Sequence, residues 1–226
     1  LIIFDLDDTL ISTSKTIIPK VLQKTLLRMI AEGLYINDSR KALKLLLMLN
    51  KQLLNSKEAL KEFVRRIKAE NFLNSGLEEL DKLPLDIKVK TTSVRANKIL
   101  QKLSEEHKLS LVSRGKEDMQ MEKIRRAGID ISLFSHIMIV SDYKEEAYKQ
   151  IVDKEGCMPY EVVVIGDRPL NDLVPAKKLG YNTIHFKNGR GADIMDEVGV
   201  DFQIISLEEV LNKIEDIKRV KRYANN

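Results

Sequence analysis

The sequence predicts an α/β fold, a doubly wound parallel sheet, with a second and all-helical unit inserted into it. Three observations carry that prediction. Short apolar runs rich in β-formers recur along the chain. Each is followed by polar residues and then by helical spacing, an alternation that implies βαβ units. The runs are too short and too continuously apolar for one-sided antiparallel strands, so they read as strands covered on both faces. One long stretch, residues 15–85, breaks the alternation with no convincing strand.

The elements follow in order. Residues 1–4 (Leu1, Ile2, Ile3, Phe4) form a buried strand that runs straight into Asp5, Leu6, Asp7, Asp8 and Thr9. Carboxylates packed so closely repel one another and are costly to desolvate together. A strand ending in such a cluster has something cationic to hold; the bland alternative is a solvated acidic turn. Val21, Leu22, Thr25, Leu26, Met29 and Ile30 then make an amphipathic stripe that stops near Gly33. A second helical run covers 39–54, with its Leu/Met-rich part at 43–49 serving internal packing. Asn55 with Glu58 resembles a capping box, ahead of Leu60, Phe63, Val64 and Ile67 at helical spacing. Ser75 with Glu78 suggests a further box. An insertion of about 70 residues is too large for an ordinary connection. It reads as a small domain at 15–85, hinged near 12–16 and 83–90, set into a core of 1–14 and 86–226. The sheet resumes with 109–112, 137–140, 162–165, 183–186 and 202–205. A helix carrying Met121, Ile124 and Arg125 ends at Gly128. Residues 207–222 make a closing amphipathic helix with a basic end.

Composition narrows the function classes. A chain of 226 residues holds a sizeable core, and 43% hydrophobic with 32% charged residues is ordinary for a soluble globular protein. No apolar run approaches a membrane span, and no signal-peptide pattern is visible. The chain opens on Leu1 rather than Met, which leaves room for residues upstream. Cys157 is the only cysteine, so no intrachain disulfide forms, as suits a reducing cytoplasm. There is no Cys/His cluster for structural zinc, and His107, His136 and His185 fall in no metal-binding spacing. A net charge of +4 without a dense basic block gives no nucleic-acid signature. No membrane partner is expected either, and the oligomeric state is open.

Four groups of polar residues line up with strand ends. Asp5 and Asp7 follow the first strand, Ser113 follows the second, Lys144 lies just beyond the third, and Gly166, Asp167 and Asp172 follow the fourth in the run GDRPLND. In an open α/β sheet, ligands bind outside the carboxyl ends of the strands, so all these groups gather on one edge. Each has a plainer reading. Ser113 and Asp172 suit helix N-caps, and Lys144 suits a solvated turn. Lys149 competes with Lys144 but falls further along the helix.

The ordered set resembles the haloacid dehalogenase superfamily, most of whose members are phosphatases. The first motif, Asp-x-Asp with a nearby Thr, is matched by Asp5, Asp7 and Thr9. The second is matched by Ser113, the third by Lys144, and the fourth by Asp167 and Asp172. Order and spacing fit from residue 1 to about Gly180, and the helical insertion sits where that family places a helical cap. The resemblance implies a Rossmann-like core and a Mg²⁺ ion, an oxygen-loving cation that offsets the charge between an anionic nucleophile and a phosphate ester. It implies that Asp5 attacks phosphorus, forming an aspartyl-phosphate. Asp5, Asp167 and the main-chain carbonyl of Asp7 would bind the metal, with Asp172 orienting metal-bound water and Thr9 in a supporting position. Asp7 would be the general acid and then base, keeping the higher pKa of the two motif-one aspartates while the metal favours ionised Asp5. Ser113 and the backbone N–H of Arg114, near the start of the next helix, would bind phosphoryl oxygens, and Lys144 would supply positive charge.

The leading expectation is a Mg²⁺-dependent phosphomonoesterase acting on a small phosphorylated metabolite, with a cytoplasmic location. A phosphomutase using the same aspartyl-phosphate chemistry is the nearest alternative. A non-catalytic ligand-binding or regulatory module is the alternative of a different class. Dehalogenation is disfavoured by Asp7 and by the Asp167/Asp172 pair. Basic residues outnumber acidic ones between Lys20 and Glu79, which mildly suits an anionic substrate.

Overall fold

A computed structural model describes residues 1–53, 55–195 and 198–224, the last five of them by backbone alone. Six strands form one parallel sheet: β1 (Ile2–Phe4), β2 (Leu109–Arg114), β3 (Phe134–Val140), β4 (Val163–Gly166), β5 (Asn182–Phe186) and β6 (Phe202–Ile204). Their order is β3-β2-β1-β4-β5-β6, with every pairing parallel. This is the doubly wound, Rossmann-like arrangement, whose order reverses beside the first strand. The helices are α1 (Thr13–Thr16), α2 (Ile18–Ala31), α3 (Ser39–Gln52), α4 (Ser56–Arg66), α5 (Leu73–Leu80), α6 (Ala96–Ser104), α7 (Glu117–Ala127), α8 (Glu145–Glu155), α9 (Val174–Lys178) and α10 (Glu209–Ala224).

The chain divides into two compact units, Leu1–Thr13 with the chain from Val89 onward, and Ser14–Lys88. In the first unit, β1 is central and buried on both faces. Ile3 joins Val112 and Val164 in a cluster with Ala147, Tyr148 and Ile151 of α8, while Ile2 and Phe4, pointing to the other face, are equally enclosed. β1 has only three residues, so its register is fixed by its neighbours: Ile2 faces Leu109 on one side and Val163 on the other. All six expected strands form. β2 runs further than its apolar run suggests, because Ser113 and Arg114 still pair with Ile139 and Val140.

In the second unit, α2 packs on α5 and α3 on α4 around Leu22, Met29, Leu46, Leu60 and Phe63. The Asp38 side chain caps α3 by accepting from the N–H groups of Arg40 and Lys41. Asn55 caps α4 by accepting from Glu58 N–H. The box expected at Ser75 and Glu78 does not form. Ser75 lies inside α5, which already starts at Leu73, and its hydroxyl donates to Phe72 O at 3.1 Å. Leu54, the expected end of the second helical run, lies outside the described residues, as do the side chains of Lys221 and Arg222 in the expected basic end of α10. Among the described residues, no helix is long and apolar enough to cross a membrane.

Candidate active site

The parallel sheet places its candidate residues by strand register. Asp5 leaves the carboxyl end of β1, and its N–H donates to Ile165 O in the adjoining β4 at 2.9 Å. Asp167 leaves β4 one residue past Gly166, so the two carboxylates emerge side by side. Asp172 sits in a π-helical turn, Pro169–Leu173, that follows β4. Its Oδ2 accepts from Arg168 N–H at 3.0 Å. Lys144 immediately precedes α8, which is anchored on the sheet by Ala147, Tyr148 and Ile151. Burial of those three side chains holds the lysine over the ends of β1 and β4.

The result is a buried cluster. Lys144 Nζ donates to Asp5 Oδ1 at 2.5 Å and to Asp172 Oδ1 at 2.7 Å. Asp5, Asp167 and Asp172 each offer an oxygen, all within 4.8 Å of one another. Asp167 has no ion-pair partner within 4 Å among the described residues. Three buried carboxylates against one ammonium leave two negative charges uncompensated, the complement of one divalent cation. An all-oxygen donor set is the chemistry hard cations such as Mg²⁺ take. The residues present therefore fit a metal of that kind.

A second group surrounds Asp7. Its carboxylate accepts from Lys123 Nζ at 2.8 and 3.0 Å, from Gln120 Nε2 at 2.9 Å, and from the Thr13 hydroxyl. Gln120 Nε2 also donates to Ser113 Oγ at 2.5 Å. Thus Asp5, Asp167, Asp172 and Lys144 come together, Asp7 and Ser113 come together through Gln120, and both groups lie at the carboxyl ends of β1, β2 and β4. Arg114 lies shortly ahead of the next helix, as expected, but inside a strand. It closes β2, and α7 begins only at Glu117, because strand pairing to Val140 outlasts the apolar run. Thr9 is fully buried and its hydroxyl has no hydrogen-bond partner, while its carbonyl accepts from Thr92 Oγ1 at 2.7 Å. Lys149 is no rival to Lys144: it is half-exposed and pairs with Glu145 along its own helix.

The electrostatics differ between the two aspartates. Burial pushes Asp5 up to about 7, opposed by the Lys144 charge and reinforced by Asp172. Burial also carries Asp167 well above the carboxylate range, with Asp5 and Asp172 adding repulsion. Burial alone would raise Asp7 too. Instead the Lys123 charge, with hydrogen bonds from Gln120, Lys123 and Thr13, brings it down to about 2. The protein groups alone thus hold Asp7 below Asp5, whereas the expectation from sequence concerns the site with its metal bound. The cause is a lysine on α7 that no motif announces.

Sequence reasoning also missed the turn after β5. His185 Nε2 lies 3.0 Å from Asp167 O, and Asn188 Nδ2 donates to Asp8 O at 2.8 Å. A Cβ on Gly191 would overlap the Asp167 carbonyl oxygen, so only glycine allows that approach. The clash is with backbone, which cannot swing aside. Gly191→Ala is expected to lower turnover at least tenfold by shifting Asp167, and to lower the melting temperature by several degrees. Steady-state kinetics and a thermal melt check both.

With this geometry in hand, comparison with known proteins is direct. The family model described as haloacid dehalogenase-like hydrolase matches residues 2–186. The chain belongs to that family. It is a hydrolase by that membership. A glyceraldehyde 3-phosphate phosphatase of Pyrococcus furiosus is 28% identical over 231 aligned positions, covering 95% of this chain and 92% of the relative. A protein of the same name from Pyrococcus abyssi is 26% identical, covering 84% and 82%. Among solved structures, a predicted phosphoglycolate phosphatase of Haemophilus somnus superposes with a TM-score of 0.73 at 16% identity, covering 95% of this chain and 97% of the other. A haloacid dehalogenase-like family hydrolase of Xanthomonas campestris gives 0.67 at 15% identity, covering 98% and 93%. These structures share the fold of this family member.

Proposed function

We propose that the chain is a Mg²⁺-dependent phosphomonoesterase that works through an aspartyl-phosphate at Asp5, on a small phosphorylated metabolite. The observation that carries this reading is the buried cluster of Asp5, Asp167 and Asp172 around Lys144. It joins a nucleophile, a cation-binding donor set and a fixed positive charge at the carboxyl ends of the central strands. Asp5, Asp167 and the main-chain carbonyl of Asp7 would hold the metal, which would supply charge neutralisation between the nucleophile and the phosphate. Asp5 attacks phosphorus as the substrate oxygen leaves, and Asp7 gives that oxygen its proton, which it first takes up against the Lys123 charge that favours its ionised form. Asp7 then takes a proton from the water that cleaves the aspartyl-phosphate. Ser113 and the Arg114 N–H hold phosphoryl oxygens. Lys144 steadies the nucleophile and the transferred group. Asp172, with both oxygens already engaged by Lys144 and Arg168 N–H, would orient water held at the cation site. Thr9 supports the turn that carries Asp7. The helical unit of Ser14–Lys88 serves as the cap that selects the leaving group.

The test is hydrolysis of p-nitrophenyl phosphate and of glyceraldehyde 3-phosphate, the compound in the relatives' names, with Mg²⁺ and with chelator. Turnover with the metal and none with chelator supports the reading. Metal-independent turnover removes it. Mg²⁺ is also expected to raise the melting temperature, by the equivalent of about 2.7 kcal/mol at a hundredfold excess over its dissociation constant. Protons compete for Asp5 and Asp167, whose pKa values burial has raised, so the increment should be larger at pH 8 than at pH 5.5. An increment that does not grow with pH would speak against these ligands.

A further inference from the structure

Lys123 and Gln120 lie one turn apart on α7, on the face turned to the protein interior. Their neighbour on that face, Ile124, is an ordinary core residue. A lysine in such a stripe is costly unless its charge is matched. Its match is Asp7, engaged at both oxygens. Gln120 ties that carboxylate to Ser113, and it does so with a direction. Its amide donates, so the Ser113 oxygen accepts and the hydroxyl proton is left to point elsewhere. The same amide also reaches Arg114 O at 3.3 Å.

We infer that Lys123 and Gln120 are positioning residues, which aim the Asp7 carboxylate and the Ser113 hydroxyl toward the substrate. The inference rests on the phosphatase reading above, in which Asp7 moves the proton and Ser113 binds the phosphoryl group. Misaiming a proton donor harms esters with poor leaving groups most, because nitrophenolate departs without a proton.

The experiment is a double-mutant cycle in kcat and KM. Lys123→Met is made in the wild type and in Asp7→Asn, both Mg²⁺-loaded, and assayed on p-nitrophenyl phosphate and on an alkyl phosphate. Lys123→Met is expected to lower kcat on the alkyl ester about 100-fold, the lost aim outweighing the easier protonation of Asp7, with KM little changed and a smaller loss on the aryl ester. In the Asp7→Asn background the same change should cost nothing further. Where Lys123→Met does not fold, Gln120→Leu, which strands no ammonium on α7, carries the cycle, its loss expected to shrink in Asp7→Asn to the part that comes from misaiming Ser113. Undiminished kcat, or an equal loss with and without Asp7, overturns the inference while leaving the phosphatase reading standing. A wild type that turns over neither ester removes that reading, and the inference with it.

Discussion

Asp5→Asn is expected to abolish turnover and, in the same step, to stabilise the metal-free protein at alkaline pH. Loss of a nucleophile costs on the order of 10⁴- to 10⁶-fold in kcat in enzymes that form covalent intermediates. The stability effect comes from burial, which raises the Asp5 pKa from 3.8 to about 7. A carboxylate whose folded pKa lies above its unfolded value binds its proton more tightly in the folded state. Its contribution is fully present below pH 4 and is lost as pH rises through about 7. A shift of that size corresponds to about 4 kcal/mol, an upper figure, since asparagine also gives up the bond from Lys144. At pH 8 with chelator, the melting temperature of the variant should exceed that of the wild type by several degrees. At pH 5 most of the difference should vanish. A variant that keeps its turnover would remove Asp5 as nucleophile. One that melts lower at pH 8 would show that the Lys144 pairing outweighs the burial penalty.

Lys144→Met is the opposite experiment on the same cluster. The lysine is 4% exposed and bonded to two carboxylates. Removing one partner of a buried ion pair costs about 3–5 kcal/mol, because the other charge stays behind unpaired. For a chain of this length that is a fall of about 10 °C in melting temperature. Without the ammonium, the folded pKa of Asp5 rises further. The deficit should therefore be widest at pH 8 and shrink toward pH 4, where proton uptake neutralises the cluster. Turnover should fall at least 100-fold, since a fixed charge beside the transferred group is lost. A melting temperature unchanged across this range would mean that the lysine's contacts contribute nothing net.

The two variants move stability in opposite directions for one reason: the cluster holds more negative charge than its lysine can balance. That imbalance was legible in the sequence, because Asp5, Asp167, Asp172 and Lys144 each follow an apolar run that could only be a strand. Period and length of the runs located every strand, and strand ends located the residues. What was not legible depended on helix rotation. Met121, Ile124 and Arg125 marked the helical spacing of α7 without fixing its buried face, which the structure makes of Gln120, Lys123 and Ile124. Polar side chains at 120 and 123 hide that face from any hydrophobic count, and only their partners across the sheet, Asp7 and Ser113, reveal it. The end of β2 was set too early for a related reason. Ser113 and Arg114 look like the end of a strand, yet backbone pairing continues through both. The Asp8–Gly191 turn region was equally hidden, since close backbone approach leaves no sequence spacing to detect.

The order of the sheet also bears on how the protein is made. β1 sits between β2 and β4, so its pairing edges await partners around Leu109 and Val163. The bond from Lys144 to Asp5 spans 139 positions. During synthesis, the β1 segment and its acidic tail leave the ribosome long before the strands that enclose them. Non-local pairing of this kind slows folding and leaves intermediates exposed to aggregation. The segment from Ser14 to Lys88 has its own core and has been synthesised well before β4. The nascent chain therefore carries the whole helical segment while its first strand is still unpaired, and the site is completed only when β4 docks.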